Sequence, residues 1–380
     1  MPNPLYDTLF GKYTGHSTTF LFMPDGKKIS HDSFIRMAGR SANALSEMGL
    51  SVGDRVAVQI DKSPEALAVY AACVQSGLVY LPLNTAYTPT EVSYFIEDSG
   101  AKLFICKGSK EEQLVDVSSK FGASMETLNA DGTGSFPVLT QNKDDSFNTV
   151  ERDTEDLVAL LYTSGTTGRS KGAMLSHSNL LSNANALAEL WQFTAKDVLL
   201  HALPIFHTHG LFVATNVTLV AGGSMIFIQK FDLESIVRNI PNATTMMGVP
   251  TFYTRLLNDS RFNKDLTRHM RLFVSGSAPL LSETHVQFEA RTGHRILERY
   301  GMTETNMNTS NPYDGERRAG TVGFPIPGIE IKITDSKTGK ELSNGEIGEI
   351  EVRGPNVFRG YWQMPEKTTE ELRKDGFFIT

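Results

Sequence analysis

Tyr162-Thr-Ser-Gly-Thr-Thr-Gly-Arg-Ser-Lys171-Gly172 interleaves glycines with small hydroxyls and carries a lysine near its end. Glycine lets backbone N–H groups approach an anion closely, and Ser and Thr add hydroxyl donors. Lysine adds a mobile point charge. That composition suits a polyphosphate. Asp156-Leu-Val-Ala-Leu-Leu-Tyr162, just before it, reads as a buried strand, and Ser176 to Gln192, after it, reads as a helix. The expected setting is therefore a phosphate-gripping loop between strand and helix. It is not a Walker A loop, because no Gly stands directly before Lys171 and no Ser or Thr directly follows it.

Outward from this loop the pattern alternates. Arg55 to Ile60, Leu78 to Leu83 and Leu103 to Cys106 are strand-like runs, with helices expected from Ser63-Pro-Glu to about Gln75 and after Thr88-Pro-Thr-Glu91. In the second of these, Thr88 is the N-cap, Pro89 opens the first turn and Glu91 completes a capping box. Gly122 to Thr154 is polar and weakly patterned and reads as a linker or loose excursion. Further strands are expected at Val198–His201, Ser224–Ile228, Thr244–Met247 and Leu272–Ser275. Such alternation predicts an α/β fold, with mostly parallel sheets covered by helices on both faces. Beyond Asn311 short runs are separated by Pro and Gly, which suggests a small antiparallel β-barrel. The texture gives three segments: 1–155, a first α/β subdomain; 156–310, a second one carrying the phosphate loop; and 311–380, the barrel.

The chain has 380 residues, ordinary globular composition and a formal charge of −7, which argues against a nucleic-acid partner. Cys73 and Cys106 sit in apolar surroundings and read as buried thiols of a reducing compartment. No signal peptide is apparent, and the most apolar window, Leu211 to Ile228, is broken by Asn216, Gly222 and Gly223. It reads as helix then strand, so no membrane partner is expected and the expected location is the cytoplasm.

The 162–172 string resembles the signature loop of the acyl-adenylate-forming superfamily, which includes acyl-CoA synthetases, firefly luciferase and peptide-synthetase adenylation domains. Ser170 stands where Pro is usual. Tyr300-Gly-Met-Thr-Glu304 looks like the second nucleotide motif of that superfamily, and Gly345-Glu-Ile-Gly-Glu-Ile-Glu-Val-Arg-Gly354 with Gly360-Tyr-Trp362 looks like its third. The resemblance covers nearly the whole chain. It implies two related α/β subdomains and the use of ATP, Mg²⁺ and coenzyme A. It implies that Thr163, Ser164, Gly165, Thr166, Thr167 and Gly168 cradle the β and γ phosphates, with Lys171 in support. Glu304 is then the Mg²⁺ ligand, assisted by Thr163, and Thr303 meets the α phosphate. Ser277-Ala278-Pro279 resembles the adenine-pocket segment, flanked by Glu298 and Tyr300, with Gly301 and Met302 beside them. In such enzymes the position of His207 gates the acyl pocket and approaches the reacting carboxylate. His201 and His209 read as structural, and histidines at i and i+2 do not share a helix face, so a histidine metal site is not expected.

Arg299 faces the expected acyl pocket, where synthetases for apolar acids commonly place a small residue. A buried cation there would be costly without an anion. A second substrate carboxylate supplies one, in a geometry that matches the guanidinium fork. Glu298-Arg-Tyr-Gly-Met-Thr-Glu-Thr305, with Asn308-Thr-Ser310 and Arg317-Arg-Ala-Gly-Thr321, resembles malonyl-CoA synthetases, in which the positions of Arg255, Ser277 and Arg299 read the distal carboxylate. Gly301, Met302 and His207 complete the implied acid site. The expected reaction is activation of malonate or methylmalonate. The alternatives are a synthetase for another short or aromatic acid, an adenylation domain serving a carrier protein, and a non-catalytic nucleotide-binding module. Relatives continue past Asp375-Gly-Phe-Phe-Ile-Thr380 with a hinge and a C-terminal domain bearing a ribose-binding aspartate and a catalytic lysine. The chain is therefore expected to be the large N-terminal domain alone, with that partner domain missing and thioester formation impaired.

Overall fold

The structure, a computed structural model, describes residues 2–163 and 169–380. By compactness the chain divides into two units, Met1–His177 with Pro204–Leu211, and Ser178–Leu203 with Phe212–Thr380.

The first unit opens with α1 (Pro4–Leu9), the hairpin of β1 (Thr19–Phe22) and β2 (Lys28–Ser30), and α2 (His31–Glu47). Then come β3 (Arg55–Gln59), α3 (Pro64–Ser76), β4 (Val79–Pro82), α4 (Pro89–Ser99), β5 (Leu103–Cys106) and α5 (Glu111–Lys120). After them follow β6 (Ser124–Thr127), α6 (Ser135–Thr140), β7 (Leu157–Thr163) and β8 (Lys171–Ser176). The sheet order is β6-β5-β3-β4-β7-β8. It is parallel up to β7, and β8 returns antiparallel.

Local chemistry explains these elements. Ser63 caps α3, Pro64 occupies its first turn, and Gly77 ends it in the left-handed region at φ 72°. Its Ala-rich body is buried on every side, as suits a helix in the core. The capping box at α4 is present, with Thr88 Oγ1 accepting from Glu91 N and Thr88 N donating to Glu91 Oε2 at 2.7 Å. Cys73 and Cys106 are buried free thiols.

Two expectations are corrected. The segment 122–154 is not only a linker, since β6 pairs in register with β5 and α6 follows it. More important, the loop after β7 does not lead directly into a helix. Lys171–Ser176 is a strand that pairs antiparallel with β7, with Thr163 opposite Lys171 and Tyr162 opposite Gly172. The reason is pairing. Once β7 is central in a sheet, the apolar run Gly172-Ala-Met-Leu satisfies its backbone groups by returning along it.

The second unit takes its first strand after α7 (His177–Leu190). It contains β9 (Val198–His201), α8 (Asn216–Ala221), β10 (Ser224–Phe227), α9 (Leu233–Asn239), β11 (Thr245–Gly248), α10 (Pro250–Leu257) and α11 (Lys264–Thr267). It continues with β12 (Leu272–Ser275), α12 (Ser282–Thr292), β13 (Leu297–Met302), β14 (Asn306–Ser310) and β15 (Phe324–Pro325). Strands β10, β9, β11, β12 and β13 are parallel neighbours in that order, and β14 and β15 add antiparallel. Phe288 of α12 packs edge-to-face on Phe273 at 5.0 Å and on Tyr253 at 5.4 Å, between ring centroids.

The last segment holds β16 (Glu330–Thr334), β17 (Glu349–Arg353), α13 (Pro365–Glu371) and β18 (Phe378–Ile379). Here the expected barrel is corrected. The strands form a three-stranded antiparallel sheet in the order β16-β17-β18, too few to close on themselves. No described helix is long and apolar enough to cross a membrane.

Candidate functional site

Of the phosphate-loop residues, Ser164, Gly165, Thr166, Thr167 and Gly168 lie outside the described residues. The two ends of the loop are described. Thr163 closes β7 and Lys171 opens β8, with Thr163 Oγ1 donating to Lys171 O at 3.5 Å. Tyr162 Oη donates to Asp98 Oδ2 at 2.6 Å, and burial followed by that bond raises its pKa, so the phenol stays a donor. Arg169 lies over the ring of Tyr94 and donates to Asp98 Oδ1 and Tyr94 Oη, each at 3.0 Å. Tyr94 Oη in turn donates to Ser170 O at 2.8 Å. Both loop ends are thus fastened to α4. Tyr94 and Asp98 were not singled out in the sequence, because only the fold brings residues so far apart together.

In the second unit the candidate residues gather at the carboxyl ends of parallel strands, where open α/β sheets place their ligands. Ser277-Ala278-Pro279 is an exposed turn after β12, with Ser277 in the left-handed region at φ 69°. Glu298 and Arg299 are successive on β13 and so point to opposite faces. The carboxylate of Glu298 reaches His285 Nδ1 at 3.2 Å and accepts from Gly320 N at 3.3 Å. Arg299 is 4% exposed, and its Nε and one terminal nitrogen are buried without a partner. Its neighbour cannot neutralise it, and burial pulls its pKa down to about 9. It therefore remains a cation at neutral pH.

Tyr300, Gly301 and Met302 complete β13, and Thr303-Glu304-Thr305 is the turn into β14. Gly301 has to be glycine, because a Cβ there would sit 1.8 Å from Asn306 O. Glu304 is buried, and the hydroxyl of Tyr361 lies 3.0 Å from its Oε1 and 2.6 Å from Glu371 Oε2. The sequence motif that contains Tyr361 gives no hint of this contact. A buried carboxylate held by a neutral phenol is a hard oxygen donor of the kind Mg²⁺ takes. Among the described residues no three ligating side chains gather as a protein-only cage.

The remaining candidates lie on other elements. Arg255 is exposed on α10 and stacks on Phe231, 4.4 Å from its ring centroid. Tyr253, two residues earlier and so on the other side of the helix, is buried with its Oη on Val274 O at 2.6 Å. His207, in the first unit, is exposed beside Phe206, and lost hydration from the surrounding protein lowers its pKa. His201 is buried with Nε2 3.1 Å from Thr215 Oγ1, as a structural histidine would be.

The family profile described as AMP-binding enzyme matches residues 12–362. A malonate–CoA ligase of Arabidopsis thaliana is 35% identical over 90% of this chain, and a mitochondrial malonate–CoA ligase of Mus musculus is 32% identical over 93%. The chain spans 59% of the length of the Arabidopsis protein and 67% of the mouse one. Among solved structures, ATP-bound MatB from Rhodopseudomonas palustris matches all of this chain and 76% of its own, with a TM-score of 0.98 and 57% identity.

Proposed function

Because the chain belongs to the AMP-binding enzyme family, we propose that it activates a malonate-type diacid with ATP and that the acyl group passes to coenzyme A. An oxygen of one substrate carboxylate attacks the α-phosphorus of ATP. The bond to the bridging oxygen of the β phosphate breaks, pyrophosphate leaves, and an acyl-adenylate forms. In the second half the coenzyme A thiolate attacks the acyl carbon and AMP departs, giving malonyl-CoA. Methylmalonate is a further candidate substrate. Positioning and charge stabilisation supply most of the rate in such a phosphoryl attack.

The observation that carries the diacid reading is Arg299, a buried cation with two unpartnered nitrogens. Burial of a charge is tolerated when an anion joins it, and a second carboxylate fits a guanidinium. The likeness to malonate–CoA ligases points the same way. In this reading Arg299 holds the distal carboxylate, with Ser277 and Arg255 near the same group, while Gly301 and Met302 line the acid and His207 stands by the reacting carboxylate. Thr163 to Gly168 and Lys171 grip the β and γ phosphates. Ser277, Ala278, Pro279, Glu298 and Tyr300 surround adenine, and Thr303 meets the α phosphate. Glu304 would hold Mg²⁺ with help from Thr163, and the metal supplies charge neutralisation on the phosphates. The cytoplasm is the proposed location.

The test is ATP–pyrophosphate exchange with malonate, methylmalonate, succinate, acetate and benzoate. Exchange driven by the malonate-type diacids alone is expected. Exchange driven by acetate or benzoate instead would make Arg299 structural and overturn the diacid reading.

A further inference from the structure

Gly276 directly follows β12, just before the exposed turn at Ser277. Its backbone is fixed, with its N–H donating to Gly248 O at 3.3 Å across to the end of β11. A Cβ at this position would lie 2.2 Å from Arg299 Cζ, 2.4 Å from Nη1 and 2.5 Å from Nε. The guanidinium therefore rests on the bare Cα of Gly276. The conformation of Gly276 is not left-handed, unlike that of Gly222 or Gly293, so the backbone itself would accept an L side chain. The three nearest atoms that a side chain would meet all belong to the Arg299 guanidinium. Since the far end of an arginine is flexible, the guanidinium would yield before the sheet did.

We infer that Gly276 is a positioning residue for acid selection: the absence of a side chain there seats the Arg299 guanidinium where it meets the distal carboxylate of a short diacid. This rests on the diacid reading above. Burial strengthens the argument, because the guanidinium Nε and one terminal nitrogen have no hydrogen bond that would hold the group in place. A methyl group at 276 displaces the fork by more than an ångström's worth of overlap, and misplacement on that scale costs on the order of 10²-fold.

Three variants, Gly276→Ala, Arg299→Gly and the pair together, are compared by pyrophosphate exchange with malonate and ATP varied in turn. Gly276→Ala is expected to raise the KM for malonate about 10²-fold and to leave the KM for ATP nearly unchanged. In the Arg299→Gly background the same substitution is expected to add nothing, because the residue it acts through is gone. An equal loss in both backgrounds, or a rise in the KM for ATP matching that for malonate, overturns the inference. If Gly276→Ala alone fails to fold, the paired variant decides: recovery of its thermal midpoint supports the contact, and continued unfolding overturns it. The unsubstituted protein separates the two readings. Exchange with a monoacid and not malonate overturns the diacid reading and this inference with it. Malonate-driven exchange that Gly276→Ala leaves intact overturns this inference alone.

Discussion

Arg271 and Arg299 stand at opposite ends of the same parallel strands and meet opposite fates. Arg271, just before β12, forms a fork with Asp197, Nε to Oδ1 at 2.6 Å and the terminal nitrogen to Oδ2 at 2.8 Å. Thr244 and Thr194 also donate to that carboxylate, and the guanidinium stacks on Phe193 and Tyr313. Burial works against the Arg271 cation, yet the bonds to Asp197 outweigh it and raise its pKa. Arg299 has the burial without the carboxylate, and its pKa falls. The amino ends of the strands are thus closed by charge pairing within the protein, whereas at the carboxyl ends a buried cation keeps two nitrogens without a partner. A buried arginine alone does not suggest a site; the proposal for Arg299 rests on the missing anion.

The largest effect expected from this contrast is on stability. Asp197→Ala would strand Arg271 and cost about 3–5 kcal/mol, as when one partner of a buried pair is removed, read by chemical denaturation. A cost below about 1 kcal/mol, the size of a surface pair, would show that the amino-end pair is ornamental and break the comparison. Arg299→Met should behave in the opposite sense. It should cost about 2–5 kcal/mol in use of a diacid, as for a buried charge pair truncated in a complex, while stability holds or rises. Loss of stability on that substitution would mean that Arg299 has an internal role.

The pH dependence sharpens the difference further. The folded pKa of Arg299 lies near 9, below its ordinary value of 12.5. Above pH 9 the free site is neutral, and a dianion must recruit a proton to bind, so affinity should fall about tenfold per unit. Linkage gives the matching sign for stability. The unfolded chain holds this proton more tightly, so the buried cation burdens the fold below pH 9 and the burden lifts from there towards 12.5. Calorimetry of malonate binding from pH 7 to 10 measures the first; a flat affinity would contradict it. The smallest expected effect is that of Thr244→Val, which removes the hydroxyl that donates to Asp197 and accepts from Val198 N. About 1 kcal/mol of stability should be lost, with pyrophosphate exchange unchanged.

Much of this was legible in the sequence, and the failures share a cause. Alternating apolar runs announced the parallel strands, and Thr88 with Glu91 announced a helix start, because both signals are local. The burial of Arg299 was legible too, since the motif that follows it resembles one that faces an acid pocket. Strand β8 was not, because Lys171-Gly-Ala-Met-Leu-Ser176 is too short for its period to tell strand from the first turns of a helix. The role of Gly276 and the bond from Tyr361 to Glu304 depend on partners far along the chain. For Arg255, the side of the helix it occupies becomes readable only once Tyr253 is known to be the buried one.

The alternation on β13 has a consequence for how such a protein could diversify. Glu298 ties one face of the strand to His285 and Gly320, and Arg299 occupies the other. Under the diacid reading proposed above, a single base change at codon 299 would alter the preference for one acid over another while the opposite face keeps its attachments. The strand works as a two-sided ribbon, so inherited variation on one side need not be repaired on the other, and new substrate ranges lie a short mutational step away.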